Sequence, residues 1–205
     1  MASPLRHSIR LREYDYTQPG AYFVTVVTDN RVLVLSKIVD GQIQLSPLGK
    51  IVEEELLQTS QIRPFVEIDA YVIMPNHVHV IFIINDDPNA AKEKAGVNLN
   101  SDVTSHTVAA HSCAPLQRQS SQSPAGNRGA PIQRLPRSLG SMIAGRKSIT
   151  TKRANLFRRT PSAPLWQRNY YEHIIRSDQS LDAARTYILS NPYQWELDPE
   201  NPTKK

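Results

Sequence analysis

The sequence predicts an α+β sandwich of βαββαβ order with an antiparallel sheet, an extra hairpin near the N-terminus and a further helix at the C-terminus. Three observations carry this. Four runs rich in β-branched and aromatic residues read as strands: "AYFVTVVT" (21–28), "VEIDAYVIM" (66–74), "HVHVIFII" (77–84) and "LWQRNYYEHII" (165–175). Two stretches of helical apolar spacing, 46–60 and 138–155, lie between the first and second and the third and fourth of these runs. A third helical stretch, 177–195, follows the last strand.

The elements follow in chain order. After the first strand, Asp40-Gly41 in "RVLVLSKIVDGQIQLS" marks a hairpin turn between two short strands. Ser46 is a helix N-cap and Pro47 suits the first helical position. Leu48, Ile51, Val52 and Leu56 then form one apolar stripe, with Glu53 and Glu54 facing away. Pro75-Asn76 turns the second strand into the third. Along that third strand Val78, Val80, Phe82 and Ile84 share one face, and His77, His79, Ile81 and Ile83 the other. Both faces are apolar, as in a central strand covered on both sides. Leu139, Met142 and Ile143 support the next helix, whose C-terminal end is basic. The last helix is capped by Asp178 or Ser180, carries Leu181, Ala184 and Ile188 on one stripe, and must stop near Pro192. The order is the ferredoxin-like βαββαβ pattern, a platform that does not by itself define a function.

The chain of 205 residues suits one domain, 1–205, with residues 86–136 a flexible insertion rich in Ser, Pro, Asn, Gln and Ala. The insertion holds His106, His111 and Cys113, whose spacing fits no standard zinc pattern. Cys113, the single cysteine, leaves no internal disulfide and fits a reducing compartment. No apolar run approaches the roughly 18–20 residues that span a bilayer, and the N-terminus has no secretory h-region. A cytoplasmic protein is expected. The net charge is only +5, but from Arg134 to Arg176 ten Lys or Arg face one acid, Glu172. That block reads either as a solvated basic surface or as a nucleic-acid footprint, with nucleoid association in the second case.

His77 and His79 carry the chemical signal. On a strand, side chains at i and i+2 emerge on one face about 6.5–7 Å apart, so two imidazoles can converge on one metal ion. The alternative is a pair of core histidines satisfied by hydrogen bonds. H-E-x-x-H is absent, and outside the insertion only His7 and His173 remain as further histidines. Tyrosines are many: Tyr14, Tyr16, Tyr22, Tyr71, Tyr170, Tyr171, Tyr187 and Tyr193. That imbalance favours a metal that polarises phosphate oxygens, paired with a nucleophilic side chain.

"MPNHVHV" (74–80) resembles the HUH motif, histidine-hydrophobic-histidine, of the single-tyrosine transposases. "REYDYTQPGAYFVTVVT", "LSPLGKIVEEE", "SLGSMIAGRKSITTKRAN", "LWQRNYYEHIIRSDQSL" and "YILSNPYQW" are similar, in the same order, to one IS200-like branch, the REP-associated tyrosine transposases. The likeness spans about 6–84 and 137–195. It implies that His77 and His79 are metal ligands, that Tyr187 is the catalytic nucleophile on the C-terminal helix, and that Asn191 completes the metal site. Tyr187 and Asn191, four apart, share a helix face. On the residues alone, Tyr187 also reads as a packing tyrosine and Asn191 as a helix C-cap. Tyr170 and Tyr171 read as packing or base-stacking residues.

The implied activity is that of a metal-dependent single-stranded DNA endonuclease and strand transferase, forming a 5′-phosphotyrosine link with Mg²⁺ or Mn²⁺. The implied substrate is a hairpin of repetitive extragenic palindromes, bound by a monomer or homodimer. Candidate DNA contacts are an N-terminal arm of Arg6, Arg10 and Arg12, with Arg146, Lys147, Arg168 and Asn169. The alternative is a domesticated relative that grips DNA hairpins without cutting them.

Overall fold

A computed structural model describes residues 14–86 and 138–202. Arg6, Arg10, Arg12 and the insertion from 87 to 136 lie outside the described residues. The element order is β1 (Gly20–Val27), β2 (Ser36–Val39), β3 (Gln42–Leu45), α1 (Pro47–Ile62), β4 (Val66–Ile73), β5 (His77–Ile84), α2 (Leu139–Arg158), β6 (Tyr171–Ile175) and α3 (Asp178–Ser190). A 3₁₀ segment, Asn191–Leu197, continues α3.

Four strands form the main sheet in the order β4-β5-β1-β6, all antiparallel. Leaving out the β2–β3 hairpin, this is the predicted βαββαβ arrangement. β5 is central, and its two faces go to different partners. Val78, Val80, Phe82 and Ile84 pack with Leu48, Val52 and Leu56 of α1 and Leu139, Met142 and Ile143 of α2. Ile81 belongs to a second cluster with Val72, Met74, Ile175 and Ile188, joined by Leu181 and Ala184 of α3. The histidine face of β5 is therefore the face that α3 covers.

The helix starts follow from local chemistry. The Ser46 hydroxyl accepts from the Gly49 N–H at 3.0 Å, with Pro47 in the first turn, as expected. Asp40 and Gly41 both take positive φ, 52° and 73°, as a tight hairpin requires. The hairpin strands are shorter than the apolar run suggests: residues 32–34 hold no strand. The cap of α3 is Ser177, whose hydroxyl accepts from the Ser180 N–H, and not Asp178 or Ser180. The strand expected over 165–175 reduces to Tyr171–Ile175, with Trp166 making one bridge to Thr28. Tyr170 thus falls just outside β6.

Between helices α1 and α2, Glu55 is buried, and Arg146 and Arg153 reach its carboxylate at 3.2 and 2.8 Å. A buried carboxylate needs such partners. Gly49 meets the chain closely: a Cβ there would lie 2.0 Å from the Leu35 carbonyl oxygen. Because the obstacle is backbone, Gly49→Ala is expected to lower stability by about 2 kcal/mol or more, as overpacking does. Urea denaturation checks it; an unchanged midpoint would show that α1 can shift freely.

Candidate active site

The site is built from β5 outward. His77 and His79 are both buried, and their Nε2 atoms lie 3.0 Å apart. Each ring is held from behind. His79 Nδ1 lies 2.8 Å from the Thr25 hydroxyl, on the paired residue of β1. His77 Nδ1 lies 2.8 Å from Asn76 Oδ1. The Asn76 amide nitrogen donates to the carbonyls of Glu200 and Arg31 at 2.7 and 3.3 Å. Those bonds fix the amide orientation, so Oδ1 accepts and His77 Nδ1 donates. The lone pair of His77 is then on Nε2, facing His79.

The C-terminal segment closes the site. Asp198 is buried, with Oδ2 3.7 Å from His77 Nε2 and 3.2 Å from the Asn191 amide nitrogen, which donates to it. Its other oxygen accepts from the Glu200 N–H at 2.6 Å. Among the described residues, His77, His79 and Asp198 form the group whose ligand atoms converge, all within 4.8 Å of one another. Arg31 ties this tail down, pairing with Glu200 at 3.2 Å.

Tyr187 faces this group. Its hydroxyl lies 3.5 Å from His79 Nε2, and its ring meets His79 edge-on at 5.2 Å and Phe23 at 5.9 Å. The helix spacing therefore does what it implied: Tyr187 and Asn191 approach one place. The α-helix ends at Ser190, where the proline at 192 requires it to stop, and Asn191 is its C-cap. Asn191 keeps helical dihedrals (φ −56°, ψ −42°), and the chain passes into the 3₁₀ segment. This continuation is what carries Asp198 back to His77.

Electrostatics suit metal binding. Burial, with help from the Arg31 charge, pushes His77 down to about 3. Burial and then His77 push His79 down to about 3, against the pull of Asp198. Both rings are neutral near pH 7, the state that can ligate. Burial and the Asp198 charge raise the Tyr187 phenol, while a hydrogen bond with Asn191 works the other way.

The donor set fits a divalent ion. Two ligand nitrogens at about 2.1 Å from one ion and at right angles are about 3 Å apart, the separation the imidazoles already have. Asn191 Oδ1 is buried with no hydrogen-bond partner, an orphaned acceptor that a cation would satisfy. Two imidazoles with carboxylate and amide oxygens suit Mn²⁺ at least as well as Mg²⁺.

The lowered histidines carry a prediction for the metal-free protein. Their folded pKa values lie below the unfolded value of 6.5, so below pH 6.5 the unfolded chain binds protons that the native rings refuse. Stability is full above pH 6.5 and falls as pH drops toward 3. At pH 5 the expected loss is about 2 kcal/mol per histidine. Denaturation in chelator at pH 7 and pH 5 tests this; stability held at pH 5 would mean that the rings titrate normally.

The remaining predicted residues lie apart from the metal group. Arg146 donates to the Glu55 backbone carbonyl at 3.0 Å as well as to its carboxylate. Lys147 donates to the carbonyls of Gln167, Arg168 and Asn169 at 2.5, 3.1 and 3.3 Å. Both are engaged within the fold. Arg168 and Asn169 are exposed on the loop that Lys147 holds. The Gln167 N–H donates to the Val27 carbonyl, and Val27 pairs with His77, so this loop sits at the histidine end of the sheet. Tyr171 pairs with Thr25, which pairs with His79, placing all three in one row across the sheet. Asp198 escaped sequence reasoning. It lies beyond the helical stripe in a segment without periodicity, and its only signal was an acid shortly after the tyrosine helix.

A REP-associated tyrosine transposase solved in complex with a REP hairpin shares this architecture. The two align with a TM-score of 0.52 at 19% identity, covering 91% of this chain and 73% of that one. The chain thus shares the fold of that transposase, and on it a histidine pair able to hold a metal lies beside a tyrosine. The chain belongs to one family with an uncharacterised protein of Haemophilus influenzae (strain ATCC 51907 / DSM 11121 / KW20 / Rd). That relative is 34% identical over 197 residues, 94% of this chain and 91% of its own length. No family model matches the chain. Among the described residues, no helix is long and apolar enough to cross a membrane.

Proposed function

We infer that this protein is a metal-dependent endonuclease and strand transferase for single-stranded DNA, acting on hairpins of repetitive extragenic palindromes. The observation that carries the reading is the Tyr187 hydroxyl 3.5 Å from His79 Nε2, at the edge of a buried His77–His79–Asp198 group. That placement brings a phenol hydroxyl to the edge of two imidazoles with facing nitrogens, as attack on a metal-bound phosphate would require.

The metal would be held by His77, His79 and Asp198, with Asn191 Oδ1 as a further ligand. When bound, Mg²⁺ or Mn²⁺ draws charge from the scissile phosphate. The residues do the rest. α3 holds Tyr187 Oη for attack on phosphorus. The Oη–P bond forms and the P–O3′ bond breaks. The phenolic proton is released and the departing 3′ oxygen gains one. A 5′-phosphotyrosine and a free 3′-OH result, and attack by a 3′-OH on that link completes strand transfer. The raised phenol pKa keeps Tyr187 protonated in the metal-free site.

For DNA contact the reading relies on Arg168 and Asn169, presented at the histidine end by Lys147, and on the arm of Arg6, Arg10 and Arg12. Arg146 is taken up by Glu55 between α1 and α2 and is left out of this surface. Tyr171, in the row of His79, is suited to stacking on a base beside the scissile phosphate.

The test is incubation with a 3′-labelled single-stranded DNA carrying a REP hairpin, with Mn²⁺ or Mg²⁺, followed by a denaturing gel. Label transferred to protein, mapped to Tyr187 by mass spectrometry, is the expected result. Retained hairpin with no covalent product would leave the non-cleaving binder as the correct description.

A further inference from the structure

Helix α3 is held to the sheet by little apolar surface. Ile188 is its one fully buried hydrophobic residue, with Leu181 and Ala184 partly covered. Such a stripe holds a helix down but resists rolling about its axis only weakly. Arg185 adds a directional contact. Its guanidinium forks onto Asp69 of β4, Nε to Oδ2 at 2.8 Å and Nη2 to Oδ1 at 2.5 Å. The remaining nitrogen, Nη1, donates to Asp182 on the same helix at 3.0 Å. The bidentate fork is the geometry that fixes orientation as well as distance.

β4 breaks its register beside the residue that meets Arg185. Ile68 pairs with Phe82 and Ala70 with Ile81, so Asp69 is the additional residue of a β-bulge. The side chains report the consequence. Val66 and Ile68 pack on the α1–α2 side, and so do Tyr71 and Ile73. Ala70 and Val72 pack on the α3 side. Asp69 and Ala70 are consecutive, yet both serve the α3 side, which unbroken alternation forbids. Arg185 and Tyr187, two apart, flank the buried stripe on opposite sides of the helix. Arg185 anchors over β4, and Tyr187 points to His79 on β5.

We propose that the Asp69–Arg185 pair, set at the β4 bulge, fixes the roll of α3 and so positions the Tyr187 hydroxyl against the metal group. Both are positioning residues. A roll of about 20° moves a group 5–6 Å from the helix axis by about 2 Å. An error of about 1 Å at a reacting atom can cost 10²-fold in rate.

This rests on the proposed function, and the experiment separates the two. Asp69→Asn, Arg185→Lys and the swapped pair Asp69→Arg/Arg185→Asp are compared with the wild type in single-turnover adduct formation at saturating hairpin. Each single variant is expected to be at least about 10-fold slower with hairpin affinity unchanged, and the swap to recover part of the loss. Hydrogen exchange in 178–190 is expected to rise in Asp69→Asn, with α1 and α2 unchanged. This second readout needs no activity. Absence of adduct in the wild type would sink the nuclease reading and leave the exchange test standing. Wild-type rates in both single variants, or unchanged α3 exchange in Asp69→Asn, would overturn the positioning role. A global rise in exchange would do so too, since it would make the pair a general stabiliser.

Discussion

Replacing Tyr187 with phenylalanine will remove the covalent protein–DNA product entirely and leave the fold intact. The variant deletes one oxygen, the proposed nucleophile, and the bond to phosphorus cannot form without it. What the ring contributes to packing survives. Its edge contacts with Phe23 and His79 involve carbon faces that phenylalanine retains. The hydroxyl makes a long contact to His79 and a hydrogen bond with Asn191, so stability should change by no more than about 1.5 kcal/mol. Tyr171→Phe is the control. Tyr171 shares the row of His79 across the sheet, and the same reading gives it a stacking role that phenylalanine preserves. Denaturing gels with 3′-labelled hairpin and a melting curve for each variant suffice. Adduct persisting in Tyr187→Phe would transfer the nucleophile elsewhere, and its loss in Tyr171→Phe would name the residue.

His77→Ala should lower Mn²⁺ affinity by about 100-fold or more, and Asp198→Ala by at least about 10-fold. These follow from losing a ligand where even an outer partner is worth 10–100-fold. The two variants ask different questions. His77 is oriented by Asn76, so its deletion removes a ligand already aimed. Asp198 supplies the carboxylate in a group otherwise made of neutral donors, and it aligns Asn191 by accepting from its amide nitrogen. Asp198→Ala thus removes charge and loosens Asn191 together, whereas Asn191→Ala removes the orphaned Oδ1 and the amide that donates to Asp198 but leaves the carboxylate in place. The order of loss expected is His77→Ala, then Asp198→Ala, then Asn191→Ala. Isothermal titration with Mn²⁺ measures it without DNA or turnover. Full affinity in Asp198→Ala with strong loss in Asn191→Ala would restrict the ligands to His77, His79 and Asn191. Unchanged affinity in His77→Ala would end the metal reading, and chelation would then leave cleavage untouched.

Local pattern carried much of this molecule. The alternation of "HVHVIFII" placed His77 and His79 on one face, and the helical spacing of Leu181, Ala184 and Ile188 gave α3 its sheet-facing stripe. The i, i+4 step from Tyr187 to Asn191 set both toward one side. These are near-neighbour regularities, determined by backbone period whatever lies opposite.

Contacts between distant segments were decided only in three dimensions. Asp198 follows the last periodic residue, and nothing nearby in the chain says that a 3₁₀ turn will return it to within 3.7 Å of His77. The bulge at Asp69 is silent in composition, because an extra residue shows only against its partner strand. Arg146 and Lys147 illustrate the same limit from the other side. Their charge was plain in the sequence, but whether a cation meets solvent or a buried glutamate depends on the helix packed against it. Period and capping chemistry act within a few residues, so the sequence by itself determined the elements, the face of the histidines and the tyrosine. Ion pairing and ligand closure join residues some ninety or more positions apart, and only the tertiary structure decided them.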